Sequence, residues 1–414
     1  MHLQTTTPQL GLKPNWKQFT LLVLVNAFVG AMLGLERSIF PEFAQKGFFI
    51  NSKTALLSFI VAFGIAKALS NYFAGKWANT MGRKKLLVIG WLFALPVPLI
   101  LLYTGHWHWV VFANVLLGIS QGLAWSSTVV MKIDLVGPKQ RGLAMGINEF
   151  AGYFAIGIMA FVTGYLAQHY GLKPYPFYLA IAISIAGLAL SILFVKDTRL
   201  FAHQEQKSSK QTALKNVFTA TTFKNKILSS ITQAGLVNNL NDGLIWGLLP
   251  VLLLGLKFNT QNIALIAATY PTVWGLSQLI TGKLADVYPK KKLLFWGMLL
   301  QGLVLLCLPF VTGFYSLLAL MAILGIGTAL VYPTFLSAIS VATLPSQRAE
   351  SMGVFRLWRD LGYAIGAIVS GLLADIFGLS YAILGIALIT VISAVVVQIR
   401  MPANLDEPST SGQF

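Results

Sequence analysis

The chain has 414 residues, of which 56% are hydrophobic and only 10% are charged. Soluble domains average about 25% charged residues, and their interiors cannot hide this much apolar surface. The composition therefore excludes an ordinary soluble protein and indicates that lipid is the solvent for most of the chain. The net charge of +17 does not indicate nucleic-acid binding, because the charges lie in loops between apolar runs.

Twelve apolar runs are long enough to cross a membrane, because a helix spans the hydrocarbon core of roughly 30 Å with about 20 residues. These runs lack the period-2 alternation of a membrane barrel. In chain order the predicted spans are 18–41, 54–75, 86–104, 108–131, 142–167, 176–196, 226–255, 262–281, 293–311, 314–342, 350–375 and 378–400.

The distribution of Lys and Arg predicts the orientation in the membrane. If residue 1 is cytoplasmic, most of the 30 basic residues flank the cytoplasmic side, and the outer loops carry only Lys46, Lys53, Lys173 and Lys257. We therefore expect a multi-pass protein of the plasma (inner) membrane with both termini in the cytoplasm. The polar N-terminus lacks the apolar stretch of a cleavable signal peptide.

An internal repeat relates the two halves of the chain. GKWANTMGRKKLL at 75–87 aligns with GKLADVYPKKKLL at 282–294 at a shift of 207 residues, and seven of the thirteen positions are identical. The same shift aligns QRGLAMG at 140–146 with QRAESMG at 347–353. Three separated blocks share this register, because VTGYLAQHYGL at 162–172 also aligns with VSGLLADIFGL at 369–379.

The repeat predicts an all-α integral membrane protein of twelve transmembrane helices, arranged as two pseudo-symmetric six-helix bundles. Residues 1–196 form the first bundle, 197–225 a polar, basic cytoplasmic linker and 226–400 the second bundle. Residues 401–414 are a polar cytoplasmic tail that we expect to be disordered. Two halves packed around a site at the midplane are the architecture of alternating access.

The segment GKWANTMGRKK resembles the signature loop between helices 2 and 3 of the major facilitator superfamily, G-x-x-x-D-x-x-G-R-[RK]-[RK]. Its echo at 282–292, the repeat of six helices, the basic central loop and the length agree with that family over nearly the whole chain. The resemblance implies a secondary transporter that works by rocker-switch alternating access, and not an enzyme.

The chain departs from the family pattern at three places. Asn79 stands where the family loop has an acid, although the second copy keeps Asp286. Asn114 stands where helix 4 often has an arginine before a glycine, here Gly118, which weakens a proton relay in that helix. Helix 5 has GYFAIG rather than G-P-x-x-G-G, so this motif does not support an antiport mechanism.

The loop motif predicts a latch on the cytoplasmic side. Small residues at Gly75 and Gly82 permit close helix approach and a tight turn. The resemblance implies that Arg83 pairs with Asp134 at the end of helix 4 and helps to hold that side shut; the alternative is that these residues only fix the topology. The residues of the motif and its echo are Gly75, Asn79, Gly82, Arg83, Lys84, Asp134, Gly282 and Asp286.

Ionisable residues within the spans predict cavity or gate positions, because an unpaired charge at the bilayer centre is costly. We expect a Lys67–Asp360 pair in the inner gate, with an intrahelical Arg356–Asp360 pair as its competitor. Glu149 aligns with Arg356 under the repeat, and opposite charges at one internal site favour cavity function over fold maintenance. Structural salt bridges are the alternative for each of these residues. The gate candidates are Lys67, Glu149, Arg356, Arg359 and Asp360.

Glu36 and Arg37 lie side by side in helix 1, upstream of Pro41, and point in different directions because consecutive helical residues are about 100° apart. Glu36 resembles the helix-1 acid of drug exporters in the family and would bind protons or a cationic group. Arg37 resembles the helix-1 arginine of organophosphate carriers and is expected to reach Asp242 when the outer side closes. The two resemblances imply opposite substrate charges.

Aromatic and polar residues of other helices predict a mixed cavity that suits an amphipathic organic substrate. With the helix-1 pair, the candidates for the proton and substrate site are Glu36, Arg37, Asn238, Asn239, Asn241, Asp242, Gln121, Trp125, Tyr270, Trp274 and Tyr332. Trp125 and Tyr332 are equivalent under the repeat.

These observations favour proton-coupled export of an amphipathic organic small molecule, with Glu36 as the leading proton site. Uptake or exchange of an organic anion held by intramembrane arginines is the second hypothesis. A lipid flippase or membrane receptor with the same fold is the third. No ATP-binding loop or helical metal motif is present in the sequence, so we expect no cofactor and no metal. The expected partners are the substrate, a proton or another coupling ion and membrane lipids, with no nucleic acid and with the chain as a monomer.

Overall fold

The computed structural model describes residues 9–48, 53–207, 213–258 and 260–403. Within these ranges the chain is almost entirely helical, and no strand is assigned. The long helices are α1 Trp16–Phe48, α2 Lys53–Met81, α3 Arg83–Ala94 with its continuation Pro96–Tyr103, α4 Trp107–Val136, α5 Arg141–Tyr170, α6 Tyr175–Leu193, α7 Lys226–Gly255, α8 Thr260–Val287, α9 Lys290–Cys307, α10 Phe314–Ala342, α11 Pro345–Phe377 and α12 Leu379–Arg400.

The predicted all-α fold of twelve helices is confirmed. Ten helices of the described chain contain a stretch that is long and apolar enough to cross a membrane. Helices α2 and α8, with 29 and 28 residues, are also long enough to span it. Helix α3 is interrupted at Leu95, because Pro96 lacks the N–H group that would continue the hydrogen-bond ladder.

Most helices extend beyond the predicted apolar spans, because backbone hydrogen bonding continues where the side chains become polar. Helix α1 was expected to end at residue 41, but it continues to Phe48. Helix α4 was expected to end at residue 131, but it continues to Val136. The second difference matters for the site, because it moves Lys132 from a loop into a buried helix.

The two halves repeat the same helix packing. In the first half α1 packs along α5 and α2 along α4; in the second half α7 packs along α11 and α8 along α10. The halves meet through two further helix pairs, α2 with α11 and α5 with α8. These two pairs are equivalent under the sequence repeat, so the interface has the same pseudo-symmetry as the halves.

The linker between the halves is partly helical and packs against the bundles. It contains a helix at Arg199–Lys207, called the linker helix below, and a short helical stretch from Val217 to Lys224. The side chain of Asn225 then caps α7 by accepting hydrogen bonds from the N–H groups of Ile227 and Leu228 at 3.0 Å. The side of the molecule that carries the linker is called the linker face.

Candidate functional site

A cavity between the two halves is lined by residues of eight helices, α1, α2, α4, α5, α7, α8, α10 and α11. Its walls come from both halves of the chain, so a ligand held there would contact both halves at once. Most of its surface is apolar or aromatic. The aromatic residues that line it are Phe63, Trp125, Tyr153, Trp246, Trp274, Tyr332 and Tyr363.

Four of these rings pack together where the cavity approaches the linker face. Tyr153 lies at the centre, with its ring centroid 3.9 Å from that of Trp274, 5.7 Å from that of Trp125 and 6.1 Å from that of Tyr332. Trp274 and Tyr332 are 5.5 Å apart. Rings from both halves therefore form a continuous aromatic floor, which apolar and aromatic parts of a ligand can contact directly.

Lys67 of α2 is the one charged side chain among the described residues that line the cavity. Its ammonium nitrogen lies 5.6 Å from the ring centroid of Phe63 and 5.7 Å from that of Trp125, both within cation–π range. The side chain thus brings a positive charge to a wall that is mainly aromatic and apolar among its described residues.

Below the floor, a chain of hydrogen bonds crosses the interface between the halves. Arg356 of α11 donates to Ser126 Oγ of α4 at 2.9 Å, and Ser126 donates to Asn71 of α2. Asn71 in turn donates to Asp360 of α11. Asp360 is also bound by Arg359, whose Nε lies 2.7 Å from Oδ1.

This network differs from the predicted gate. Asp360 was expected to pair with Lys67 or with Arg356, but its ion pair is with Arg359, and α2 reaches it through Asn71. Asn71 lies one turn farther along α2 toward the linker face than Lys67, so the choice between them depends on helix depth. Arg359 also donates to the hydroxyl of Tyr332, which connects the network to the aromatic floor.

Glu149 of α5 lies behind Trp125 and is fully buried. Its Oε1 accepts hydrogen bonds from Trp125 Nε1 at 3.2 Å and from Asn148 Nδ2 at 2.5 Å. Lys132 of α4, also fully buried, donates to the carbonyl of Leu22 in α1 at 3.0 Å. Two buried ionisable residues therefore lie within the first half, close to the interface.

The polar residues of α7 divide between two environments. Asp242 accepts a hydrogen bond from the hydroxyl of Tyr270, which lies 3.1 Å from Thr328 Oγ1. Asn239 donates to Asp360 at 3.4 Å and so joins the network below the floor. Asn238 donates to Asn239 at 3.4 Å.

Two predicted site residues are used for helix packing instead. Asn241 donates to Gln301 of α9 at 3.2 Å and accepts from Thr390 of α12 at 2.7 Å. Gln121 of α4 donates to the carbonyl of Val29 in α1 at 2.7 Å. Neither residue belongs to the cavity lining.

Five buried charged residues at the linker face form a group that we call the linker-face ion cluster: Arg83, Asp134, Arg141, Glu205 and Arg348. The pair expected between Arg83 and Asp134 is present, with Nε and Oδ2 3.2 Å apart. Arg348 of α11 extends the pair across the interface, with NH1 3.7 Å from Asp134 Oδ1.

Glu205 of the linker helix completes this cluster. Its Oε1 is 2.7 Å from Arg348 NH2 in the second half and also accepts from Arg141 in the first half. Burial disfavours the charged carboxylate, but the two guanidinium groups outweigh that effect and hold the pKa of Glu205 below its ordinary value. One linker carboxylate therefore binds both halves.

The loop motif and its echo contact the opposite half at equivalent places. Gly75 packs on α11 so closely that a Cβ there would lie 2.8 Å from Gly353 Cα, and a Cβ at Gly282 would lie 2.7 Å from Gly146 Cα. Asp286 accepts hydrogen bonds from the N–H groups of Gly142 at 2.6 Å and Leu143 at 2.9 Å, at the start of α5.

The first copy of the motif has an amide in place of this acid. Asn79 donates to the carbonyl of Ser346 at the start of α11. Gly82 has a φ of 93°, which glycine adopts without strain, and so makes the tight turn between α2 and α3. Lys84 lies in the first turn of α3, and its amine donates to the carbonyl of Ile192 at 2.8 Å.

The side chains of Glu36 and Arg37 lie outside the described residues, although helix α1 runs through both positions. The expected contact of Arg37 with Asp242 remains a prediction. Of the remaining site candidates, Trp125, Trp274 and Tyr332 line the cavity together, and Tyr270 stacks on Trp274 with centroids 5.7 Å apart.

Several residues of the site were not among the predicted ones. Tyr153, Asn71 and Lys132 lie on helices whose facing sides the apolar pattern did not identify. Arg141 and Arg348 had a signal that was available, because they are the arginines of the two QR blocks of the repeat. No sequence signal identified Glu205 as a site residue, because the composition of a polar linker does not indicate which of its residues are buried.

Comparison with known families matches nearly the whole chain to one of them. Residues 19–235 and 231–413 each match the sequence model of the Major Facilitator Superfamily. The two matches cover the two halves in turn, in agreement with the internal repeat.

Individual relatives are distant in sequence. The chain is 24% identical over 381 residues to multidrug resistance protein MdtG of Proteus mirabilis, covering 89% of this chain and 93% of that protein. It is 23% identical over 342 residues to an uncharacterized MFS-type transporter of Methanocaldococcus jannaschii, covering 82% and 87%. A solved structure, the human organic anion transporter MFSD10, has the same fold with a TM-score of 0.75 at 14% identity, covering 93% of this chain and 100% of that one.

Proposed function

The chain belongs to the Major Facilitator Superfamily, whose members are transporters and not enzymes, and we propose that it exports amphipathic organic molecules in exchange for protons. The aromatic cavity between the halves carries this proposal. It lies between the two halves, and its described lining residues offer mainly ring faces to a ligand. Relatives named multidrug resistance proteins support export of such compounds.

Alternating access requires that each side of the cavity can close. In the structure the two helix pairs between the halves, the hydrogen-bond network and the linker-face ion cluster lie between the cavity and the linker face. We take the linker face as cytoplasmic, because most basic residues flank it. The structure then corresponds to the state closed toward the cytoplasm, and opening toward the cytoplasm requires the ion cluster to separate.

We assign proton coupling first to Glu36, because this residue resembles the helix-1 acid of drug exporters in the family. Its protonation would remove the charge that attracts a cationic substrate, so that proton and substrate compete for one site. Glu36→Gln should change the pH dependence of transport, and wild-type pH dependence in that variant would remove Glu36 from the mechanism.

Transport in proteoliposomes tests the export function directly. We expect a pH gradient to drive accumulation of ethidium, an amphipathic cation, and Trp274→Ala to weaken ethidium binding about tenfold through the lost ring contacts. Trp296→Ala is the matched control, because Trp296 is 60% exposed and lies away from the cavity. Movement of a labelled lipid without any ethidium transport would favour a flippase instead.

Lys67 favours a second candidate, transport of an organic anion. The ammonium group of Lys67 attracts the acidic group of an aromatic anion, and the aromatic side chains around it contact the ring of that anion. The thermal midpoint of the purified protein separates the two candidates, since a ligand that binds only the folded state raises it. Stabilisation by anions that is lost in Arg37→Gln would favour anion transport, whereas stabilisation by cations that requires Glu36 would favour drug export.

A further inference from the structure

Glu149 is a buried carboxyl group whose hydrogen-bonding capacity is only half used. Trp125 and Asn148 both donate to Oε1, whereas Oε2 has no hydrogen-bond partner among the residues that the structure describes. No described Lys or Arg nitrogen lies within 4.0 Å of its carboxyl oxygens. Burying a carboxylate without a direct ion-pair partner costs free energy of folding. Stability therefore does not explain why an acid occupies this position.

The ionisable neighbours of Glu149 come from α5 itself and from the helices packed around it. They are Lys132 of α4, Tyr332 of α10, Arg356 and Arg359 of α11, and Tyr153 of α5 itself. Helix α8 contributes the neutral Gln278 and α1 the neutral Asn26, with the side chains of Glu36 and Arg37 outside the described residues. Helix α6 has no Asp, Glu, Lys or Arg.

The cationic neighbours are engaged elsewhere. Lys132 donates to Leu22, Arg359 binds Asp360, and Arg356 donates one N–H to Ser126. The Nε and NH2 groups of Arg356 have no partner in the described structure. These cations therefore attract the Glu149 carboxylate electrostatically from a distance and do not contact it directly.

A proton on Oε2 would turn the unused acceptor into a donor and remove the charge. Gln278 lies on the facing helix α8, and its backbone carbonyl packs against Gly146, three residues before Glu149 on α5. The buried side-chain amide of Gln278 has no hydrogen-bond partner on either atom within the described chain. The two unsatisfied groups lie on opposite sides of the α5–α8 contact between the halves.

We propose that Glu149 is a second proton-binding site of the transport cycle, linked to the cavity by Trp125 and to the opposite half by Arg356. The inference rests on the proton-coupled export proposed above. With the linker face closed, the carboxylate takes a proton from cavity water, and the carboxylic acid lies dry at the interface. When α5 parts from α8 and α11 parts from α2, water reaches the group, and the proton passes to water at the linker face.

Trp125 gives this site a connection to the substrate. Its ring lines the cavity floor while its Nε1 donates to Glu149, so a ligand that displaces the ring alters one of the two hydrogen bonds to the carboxyl group. Arg356 couples the charge of Glu149 to the conformational change. It belongs to the second half and moves away from Glu149 when the linker face opens.

Infrared difference spectroscopy between alkaline and acidic pH, on the full chain in lipid, measures protonated carboxyl groups without a substrate. We expect Glu149→Gln to lose one carboxylic-acid component that Glu350→Gln, the matched control on α11, retains. Glutamine keeps the shape and the acceptor for Trp125. Trp125→Phe should shift the pH at which that component titrates. Spectra unchanged in both folded variants would overturn the assignment.

Gradient-driven ethidium transport then separates the two proposals. We expect Glu149→Gln to lower the gradient-driven rate about tenfold, the size of a typical coupling between sites. Equal rates in this variant and the wild type would overturn the role of Glu149 and leave proton-coupled export standing. A wild-type protein that ignores the pH gradient would overturn proton-coupled export itself, even if Glu149 titrates.

Discussion

At the scale of single residues, the described lining of the cavity combines seven aromatic rings with the ammonium group of Lys67. Sequence reasoning identified Trp125, Trp274 and Tyr332 as cavity residues because aromatic side chains within polar helix faces are uncommon. It assigned Lys67 to the inner gate instead. This error has a physical reason. The rotation of 100° per residue predicts which face of α2 a side chain occupies. It does not predict depth along the helix, which decides whether Lys67 or Asn71, one turn apart, meets Asp360.

Lys67 should set the charge preference of the binding site. We expect Lys67→Gln to weaken the binding of aromatic anions about tenfold and to leave or improve the binding of ethidium. The thermal midpoint measured against each ligand class reports both effects. Lys76→Gln, at the linker-face end of the same helix, is the control, and an equal loss of anion binding in both variants would contradict the assignment.

At the scale of elements, the linker helix is the least predictable part of the structure. Residues 197–225 have the composition of a solvated loop, and the sequence predicted a cytoplasmic linker there. Composition could not predict that Glu205 is buried between Arg141 and Arg348, because the helix contributes one carboxylate to a site made by the two bundles. The Arg83–Asp134 pair was predictable, since both residues belong to segments with a known relation in the family.

Glu205 should stabilise the folded protein in a pH-dependent manner. Because its pKa is depressed in the folded state, the stabilisation is full above the unfolded pKa of about 4.3 and is lost as pH falls through the lower folded-state pKa. Glu205→Gln removes the carboxylate from Arg141 and leaves Arg348 only its longer pair with Asp134, and we expect a loss of about 3 kcal/mol at neutral pH.

The thermal midpoint as a function of pH measures this contribution. The difference between wild type and Glu205→Gln should be largest at neutral pH and should narrow below about pH 4.3. Glu350→Gln provides the control for loss of a carboxylate near the linker face. Identical midpoints of wild type and Glu205→Gln at neutral pH would show that the two ion pairs do not contribute to stability.

The glycine contacts between the halves should control closure of the linker face. Gly75→Val and Gly282→Val place carbon atoms where the partner helix backbone lies, with a Cβ already 2.8 Å from Gly353 Cα and 2.7 Å from Gly146 Cα, respectively. Both variants should therefore favour the state open at the linker face. Gly371→Val is the matched control on α11, because nothing lies within 4 Å of a Cβ there.

Maleimide labelling of a cysteine placed at Ala78 in a Cys307→Ser background measures this opening. Ala78 is 3% exposed and lines the gap between α2 and α11. A shift of about 1.4 kcal/mol in the conformational equilibrium changes the open population tenfold, and we expect the labelling rate to rise by at least that factor. A rate that rises equally in Gly371→Val would mean that helix distortion, not the contact between halves, exposes the site.

At the scale of the whole molecule, the sequence predicted the twelve-helix fold and its twofold repeat because both depend on patterns that extend over many residues. Span length needs only an apolar run, and the repeat needs only a common register of 207 residues. Contacts between the halves depend on a few side chains each. They required the structure, since α2 with α11 and α5 with α8 bring together residues that are more than a hundred positions apart.

The orientation of the molecule is a further prediction at this scale. In intact cells, a membrane-impermeant maleimide should label His108→Cys, which lies on the side away from the linker, and should not label Lys215→Cys in the linker. Both variants are made in a Cys307→Ser background. The reverse pattern would place the linker outside the cell and would invert the direction of the proposed transport.

The bridge made by Glu205 has a consequence for how such a molecule can arise. Doubling one bundle produces every residue in duplicate, so the arginine of the QR block meets its own copy across the dyad as a like charge. Only one residue can occupy a position on the pseudo-twofold axis between the bundles, so such a residue has no duplicate in the other half. The carboxylate that both arginines share comes from Glu205, in the one segment that is present once, so the linker that joins the copies also helps them to close against each other.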